Sequence, residues 1–299
     1  MNRRLFLTNV CKGVALLGAS SVVPACGEGQ STVRFGVISD LHYAGCETRG
    51  TRYYAQTIDK LREAIKVFNT ANLDFIIELG DLKDQDAVPQ PEKTIFYLKE
   101  IEKELHSFNG PVYHVLGNHD MDSISKEEFL QHTSNYGTAD KKAYYSFSCK
   151  GIKFIVLDAN YNLDGSPYNK GNFDWTKAIV PDEQLKWLKE ELKESKQPII
   201  VFSHQLLDNF SDIDSSVCVT NAGEIRQLLE ENGNVKAVFQ GHHHAGHYSC
   251  RNNIHYWTIK GLIEGEWPSN NSFATVEIEK QDTIRITGYS NCENKDLKW

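Results

Sequence analysis

Five short apolar runs in this chain each stop at a polar cluster of Asp, Asn or His, with amphipathic helical patterns between several of them. The runs are Val33 to Ser39, Leu73 to Leu79, Pro111 to Leu116, Ile199 to Ser203 and Val235 to Gln240. Their length and their β-branched and aromatic content suit buried strands. Between them, Ile58, Leu61, Ile65 and Phe68, then Ile95, Leu98, Ile101 and Leu105, then Leu185, Leu188 and Leu192 recur at helical spacing. Strands alternating with helices require right-handed crossovers and a parallel sheet. Parallel strands end on one edge, so clusters far apart in sequence are brought together there.

The clusters are Asp40-Leu41-His42, Gly80-Asp81, Gly117-Asn118-His119-Asp120, His204 and Gly241-His242-His243-His244. Any one of them is ordinary, since an Asn-His-Asp triplet is common turn chemistry. All five in this order, each directly after a strand, make a candidate site. His243 is read as turned away from it. His106, His114, His132, His247 and His255 have no motif around them and are read as structural or surface residues.

The remaining segments complete an α/β reading. A helical patch covers Ser125 to His132. Ala143 to Cys149 and Ile152 to Leu157 form a strand pair around Lys150-Gly151. Asp158 to Val180 is a long loop rich in aromatic residues, including Tyr161, Phe173 and Trp175, and is read as a substrate-facing lid. The tail from His255 to Tyr289 alternates apolar and polar residues and is expected to complete a second, antiparallel sheet.

The first 25 residues read as an export signal. Asn2-Arg3-Arg4-Leu5-Phe6-Leu7 is a twin-arginine start, and Val14 to Val23 is an apolar stretch too short to span a bilayer. Val23-Pro24-Ala25-Cys26 resembles a lipoprotein box, with Pro24 as a departure from the pattern. Residues 26–32 then act as a tether and 33–299 as the catalytic domain. The expected location is the periplasm or a membrane surface, with membrane contact only through a lipid at Cys26. Without the leader the chain carries 29 basic and 40 acidic residues, because Arg3, Arg4 and Lys12 are lost and no acid is. No basic stripe exists, which excludes a nucleic-acid track. A small phosphate-containing substrate remains compatible, because metal ions supply local positive charge. Of seven cysteines, Cys46, Cys149, Cys218, Cys250 and Cys292 lie in the body without CxxC spacing.

In order and spacing the five clusters resemble the calcineurin-like metallophosphoesterases, whose pattern is DxH, GD, GNHD/E, H and GHxH. The resemblance runs from Val33 onward and fills every ligand position. It implies a four-layer α/β sandwich of two mixed β-sheets flanked by helices, with the site at the C-terminal strand edge. It also implies two divalent ions, one held by Asp40, His42, Asp81 and His244 and one by Asp81, Asn118, His204 and His242. A metal-bridging hydroxide would attack phosphorus. His119 would donate a proton to the leaving oxygen, and Asp120 would orient His119. The mixed oxygen and imidazole donors suit manganese, iron or zinc, without choosing among them.

A narrower likeness joins Gly50 to Tyr54, Tyr144 to Phe147, Phe154 to Ala159, Gly171 to Phe173, Glu183 to Leu188, Ser216 to Cys218 and Gly261 to Gly265. These segments resemble the manganese-dependent ADP-ribose/CDP-alcohol diphosphatases. That likeness implies hydrolysis of a phosphoanhydride or phosphodiester in a small molecule. It makes Cys218 and the loop carrying Tyr161, Phe173 and Trp175 candidates for the base or leaving-group side. A phosphomonoesterase with the same site is the near alternative. A non-catalytic scaffold is the distant one, since scaffolds lose ligands and none is missing here.

Overall fold

Val33, Phe35 and Val37 alternate along β1 (Val33–Ile38) and turn to one buried face, as a period of two requires. The computed structural model describes residues 32–137, 141–279 and 283–299. The leader, its twin arginines and Cys26 lie outside the described residues. After β1 come α1 (Thr57–Thr70), β2 (Phe75–Glu78), α2 (Pro91–Leu105), β3 (Val112–His114) and α3 (Lys126–His132). β4 (Tyr145–Cys149), β5 (Ile152–Val156), α4 (Asp182–Glu194), β6 (Ile199–Ser203), α5 (Ala222–Asn232) and β7 (Val235–Gln240) follow. The chain closes with β8 (His247–Arg251), β9 (Ile254–Thr258), β10 (Ser272–Glu279), β11 (Thr283–Ser290) and β12 (Lys295–Lys298).

The strands form two six-stranded mixed sheets. One has the order β12-β11-β10-β1-β2-β3 and the other β4-β5-β6-β7-β9-β8. β1, β2 and β3 are parallel, as are β5, β6, β7 and β9. Facing side chains of both sheets make the central core, where Phe35 stacks on Phe75 at 4.9 Å and meets the edges of Phe154, Phe202 and Phe239. Leu61, Phe68, Leu98 and Leu105 of α1 and α2 pack on the outside of the first sheet. Leu188, Leu192, Ile225 and Leu229 of α4 and α5 pack on the outside of the second. The result is the expected four layers. Gly36 allows the first of these contacts, because a Cβ there would lie 2.9 Å from the Phe68 ring.

The tail departs from its expectation. β9 does enter the second sheet, but parallel to β7, and β10 to β12 run antiparallel in the first sheet, with β10 paired to β1. Without β10, the backbone of β1 would be an open edge. An alternating strand fits either sheet equally well in sequence, and only the position of that edge decides. All five cysteines of the body are unpaired. No helix among the described residues is long and apolar enough to cross a membrane.

Candidate metal centre

The tips of β1, β2, β3, β6 and β7 converge, and the backbone there is strained. Asp40, His42, Asp81 and His242 have φ of 55°, 46°, 58° and 65°. Each left-handed residue other than glycine costs about 1 kcal/mol or more, so neighbours must over-determine the geometry. They do. The Asp40 amide donates to the Gly80 carbonyl at 3.0 Å, His42 to Asp81 at 2.8 Å, and Ile263 to Asp40 at 3.0 Å. The His242 amide lies 3.1 Å from both carboxylate oxygens of Asp40, which ties the two sheets together. Gly117 admits the Asp81 carboxylate, since a Cβ at Gly117 would sit 2.2 Å from Asp81 Oδ1.

Two ligand sets result. Asp40, His42 and His244 offer atoms within 4.8 Å of one another, and so do Asp81, His204 and His242. Asp81 Oδ2 lies between the sets, 3.5 Å from His42 Nε2 and 3.1 Å from His204 Nε2. His244 Nε2 lies 3.3 Å from Asp40 Oδ1 and 3.1 Å from His42 Nε2. Burial alone raises the Asp81 pKa, but His204, His119 and His42 outweigh it and hold the carboxyl well below its usual range. Burial drives the His242 pKa down to about 3, which keeps its ring neutral.

The imidazoles are oriented from behind. His42 Nδ1 meets Asp84 Oδ2 at 3.1 Å, His244 Nδ1 meets Glu264 Oε1 at 2.6 Å, and His204 Nδ1 meets the Leu79 carbonyl at 2.7 Å. Each partner is an acceptor, so each holds a proton on Nδ1 and leaves the Nε2 lone pair directed inward. Asn118 Oδ1, His204 Nε2 and His242 Nε2 are buried and complete no hydrogen bond. The 3.1 Å approach of His204 to Asp81 is therefore close without being aligned. Leaving such groups unsatisfied costs about 1–3 kcal/mol each, a cost that divalent ions at these positions would remove. By this test the donor set fits two metal ions.

His119 stands beside the ligands with its side chain 31% exposed. Its Nδ1 lies 2.7 Å from Asp122 Oδ2 and 3.5 Å from Asp84 Oδ2. Burial opposes its charge, but Asp81 and then Asp122 push its pKa up to about 10. Asp120 does not orient His119, contrary to expectation. It accepts the amides of Gly117 at 2.8 Å, Leu82 at 3.0 Å and Asp81 at 3.1 Å, stapling the loops after β2 and β3 together. The reason is local. His119–Met121 is a 3-10 turn, and in that geometry side chains three apart eclipse while neighbours diverge. Asp122 therefore reaches the ring and Asp120 does not.

His42, Asp81, Asn118, His119, His242 and His244 line a cavity of about 470 Å³. Arg52, Trp175, Val217, His243, Ala245 and Glu264 complete its lining. His243 thus reaches the cavity instead of turning away. Of the four substrate-side candidates only Trp175 lines it, its ring centroid 5.5 Å from His242. Phe173 stacks on the fully buried Tyr168 at 4.1 Å and serves as internal packing of the loop. Tyr161 lies under Lys126 Nζ, 3.8 Å from its ring centroid. Cys218 is buried, which pushes its thiol up to about 12, and its neighbour Val217 faces the cavity in its place. The long loop is thus mostly surface cover with one residue on the site. Asp84, Asp122, Arg52 and Glu264 escaped sequence reasoning as functional groups. Asp84 lies three residues after Asp81, and Arg52 and Glu264 fall in segments of the narrower likeness, so a signal was present for those three. A smaller cavity of about 180 Å³ between β8 and the C-terminal segment contains no such ligand set.

A family model described as calcineurin-like phosphoesterase matches residues 33–246. A manganese-dependent ADP-ribose/CDP-alcohol diphosphatase of Oryza sativa subsp. japonica is 28% identical, covering 88% of this chain and 93% of the relative. A 3',5'-cyclic-nucleotide phosphodiesterase of Nostoc is 25% identical over 73% of this chain and 74% of its own. The crystal structure of a dimetal phosphatase from Danio rerio superposes with a TM-score of 0.76 at 21% identity, covering 89% of this chain and 99% of that one.

Proposed function

We propose, from the premise that this chain belongs to the calcineurin-like phosphoesterase family and is a metal-dependent phosphohydrolase, that it cleaves the phosphoanhydride of a small nucleoside-diphosphate-linked substrate. The carrying observation is the cavity, in which the ligand set shares its lining with Arg52 and Trp175. A volume of about 470 Å³ is within the range of small-molecule sites. A guanidinium suits a second phosphate, and an indole suits stacking on a base. The likeness to the rice diphosphatase supports the same reading and favours manganese.

Asp40, His42, Asp81 and His244 would hold one divalent ion and Asp81, Asn118, His204 and His242 the other. When bound, the ions supply Lewis acidity to phosphate and water. The chain's own groups do the rest. Asp84 and Glu264 keep the Nδ1 protons of His42 and His244 in place. His119, held by Asp122, carries the proton that the leaving oxygen needs. Arg52 balances the charge of the phosphate that does not react, and Trp175 packs against the nucleoside.

A second reading, hydrolysis of a simple or cyclic phosphodiester, is supported by the likeness to the Nostoc enzyme. The test is hydrolysis by metal-stripped protein reloaded with Mn²⁺, Fe²⁺, Zn²⁺ or Mg²⁺. ADP-ribose, CDP-choline, cyclic AMP and a phosphomonoester would be compared by kcat/KM. The diphosphates should lead with Mn²⁺; a lead for cyclic AMP or the monoester refutes the substrate assignment.

We further propose export through the twin-arginine route and lipid attachment at Cys26, supported by Arg3, Arg4 and the Val23 to Cys26 box. Cys26→Ala should move the protein from the membrane to the soluble fraction; a variant that stays with the membrane argues against the anchor.

A further inference from the structure

A second cluster of imidazoles and carboxylates shares no residue with the cavity. Glu102 lies on the last turn of α2, His106 is the residue that caps it, and His114 ends β3. His106 Nε2 is 3.0 Å from Glu102 Oε1, and His114 Nε2 is 3.2 Å from Glu102 Oε2. Behind His114, its Nδ1 faces Glu78 Oε2 at 3.5 Å. His114 is 1% exposed and Glu102 8%, so the pair is taken out of water.

The outer half of the cluster is a formed pair, since Glu102 Oε1 meets His106 Nε2 and also accepts the Ser134 amide at 3.1 Å, but the inner half around His114 is not. Both His114 nitrogens, Glu102 Oε2 and Glu78 Oε2 are buried and complete no hydrogen bond. At 3.2 Å the His114 and Glu102 atoms are close enough to bond. They nevertheless leave each other unsatisfied. A cation ligated by both atoms would satisfy them. The two contacts, 3.0 and 3.2 Å, run to the two different oxygens of Glu102, so the carboxylate stands between the two imidazoles. One donor atom from each of Glu102, His106 and His114 lies within 4.8 Å of the others.

We propose that Glu102, His106 and His114 form a further divalent-cation site of the zinc class, separate from the paired centre. Glu78 stands behind His114 as a carboxylate stands behind a metal-bound imidazole. His106, with its side chain 38% exposed, gives the ion a path from solvent and leaves room for a water as fourth ligand. Two imidazoles and one carboxylate select zinc over calcium or magnesium. The ion clamps the end of α2 to β3. Glu78 Oε1 also accepts the Gly80 amide at 2.7 Å, so the clamp bears on the backbone next to Asp81. Without a cation a proton fills the place. Burial opposes it, but Glu102 and then Glu78 push the His114 pKa up to about 10. Zinc replaces that proton on binding.

The experiment counts ions. Wild type and His106→Ala are stripped, loaded with excess Zn²⁺, desalted and assayed by elemental mass spectrometry. His106 is exposed, so its loss leaves the fold intact, which circular dichroism verifies. The expected result is one zinc fewer per chain in the variant, whatever number the paired centre retains. Equal counts overturn the proposal. Loading with Co²⁺ gives an independent reading: the wild-type spectrum minus that of His106→Ala, in which the paired centre cancels, should show a tetrahedral visible band, and a difference spectrum without one overturns the assignment.

Discussion

The paired centre and the Glu102–His106–His114 cluster use the same side-chain types and are built by opposite means. The candidate ligands of the centre come from five strand tips in two sheets, and four of them, Asp40, His42, Asp81 and His242, stand on left-handed backbone that the surrounding loops hold in place. The outer cluster needs only one helix end and the next strand. In the centre, His42, His204 and His244 have Nδ1 held by an acceptor and Nε2 turned toward the other candidate ligands. In the outer cluster both nitrogens of His114 face carboxylates. Long-range assembly demands glycines, strain and a second layer of acceptors. Local assembly demands only helical spacing and a short turn.

Three substitutions sharpen this contrast, in order of expected effect. Asp81→Asn removes the carboxylate shared by both central sets, and kcat should fall by about 10³-fold. Steady-state turnover with saturating Mn²⁺ checks this, and near-normal activity would remove Asp81 from its bridging role. Asp84→Asn keeps every ligand but releases the His42 ring. Mn²⁺ affinity should weaken by about 10–100-fold, with kcat largely recovered at high Mn²⁺. An activity titration against free Mn²⁺ reads it; an unchanged midpoint would make Asp84 a mere neighbour.

Asp122→Asn should have the smallest effect, lowering kcat by about tenfold near neutral pH, a fraction of what a positioned acid contributes. Its sign with pH is the sharper test. Asp122 is among the groups that raise the His119 pKa, so its loss lowers that pKa. The basic limb of the pH–rate profile, where the proton donor is lost, must then move to lower pH. A limb that stays in place or moves upward contradicts the proton-donor role. None of the three substitutions touches Glu102, His106 or His114, so the outer zinc should persist in each.

The two regions also differ in how far they could be read in advance. Asp40, His42, Asp81, Asn118, His204, His242 and His244 were legible because each directly follows an apolar run, and parallel strands share an edge. Glu102 and His106 fall in a helical pattern whose apolar positions give no hint that β3 will place His114 beside them. Asp122 was missed because the turn after Asn118 is 3-10, so the orienting carboxylate stands three residues along instead of one. Phe173 and Tyr161 looked like lid residues because aromatic content does not say which face of a loop turns inward.

By itself, then, the order of apolar runs and polar clusters determined the layers, the parallel strands and which polar residues meet at the shared strand edge. Hydrophobic period and strand-end chemistry are local properties, and they survive in one dimension. Which sheet takes β10 to β12, which acceptor holds each histidine, and whether Trp175 or Cys218 meets the cavity were decided only in three dimensions. Those outcomes depend on distances between segments remote in sequence, and packing of the whole molecule sets such distances.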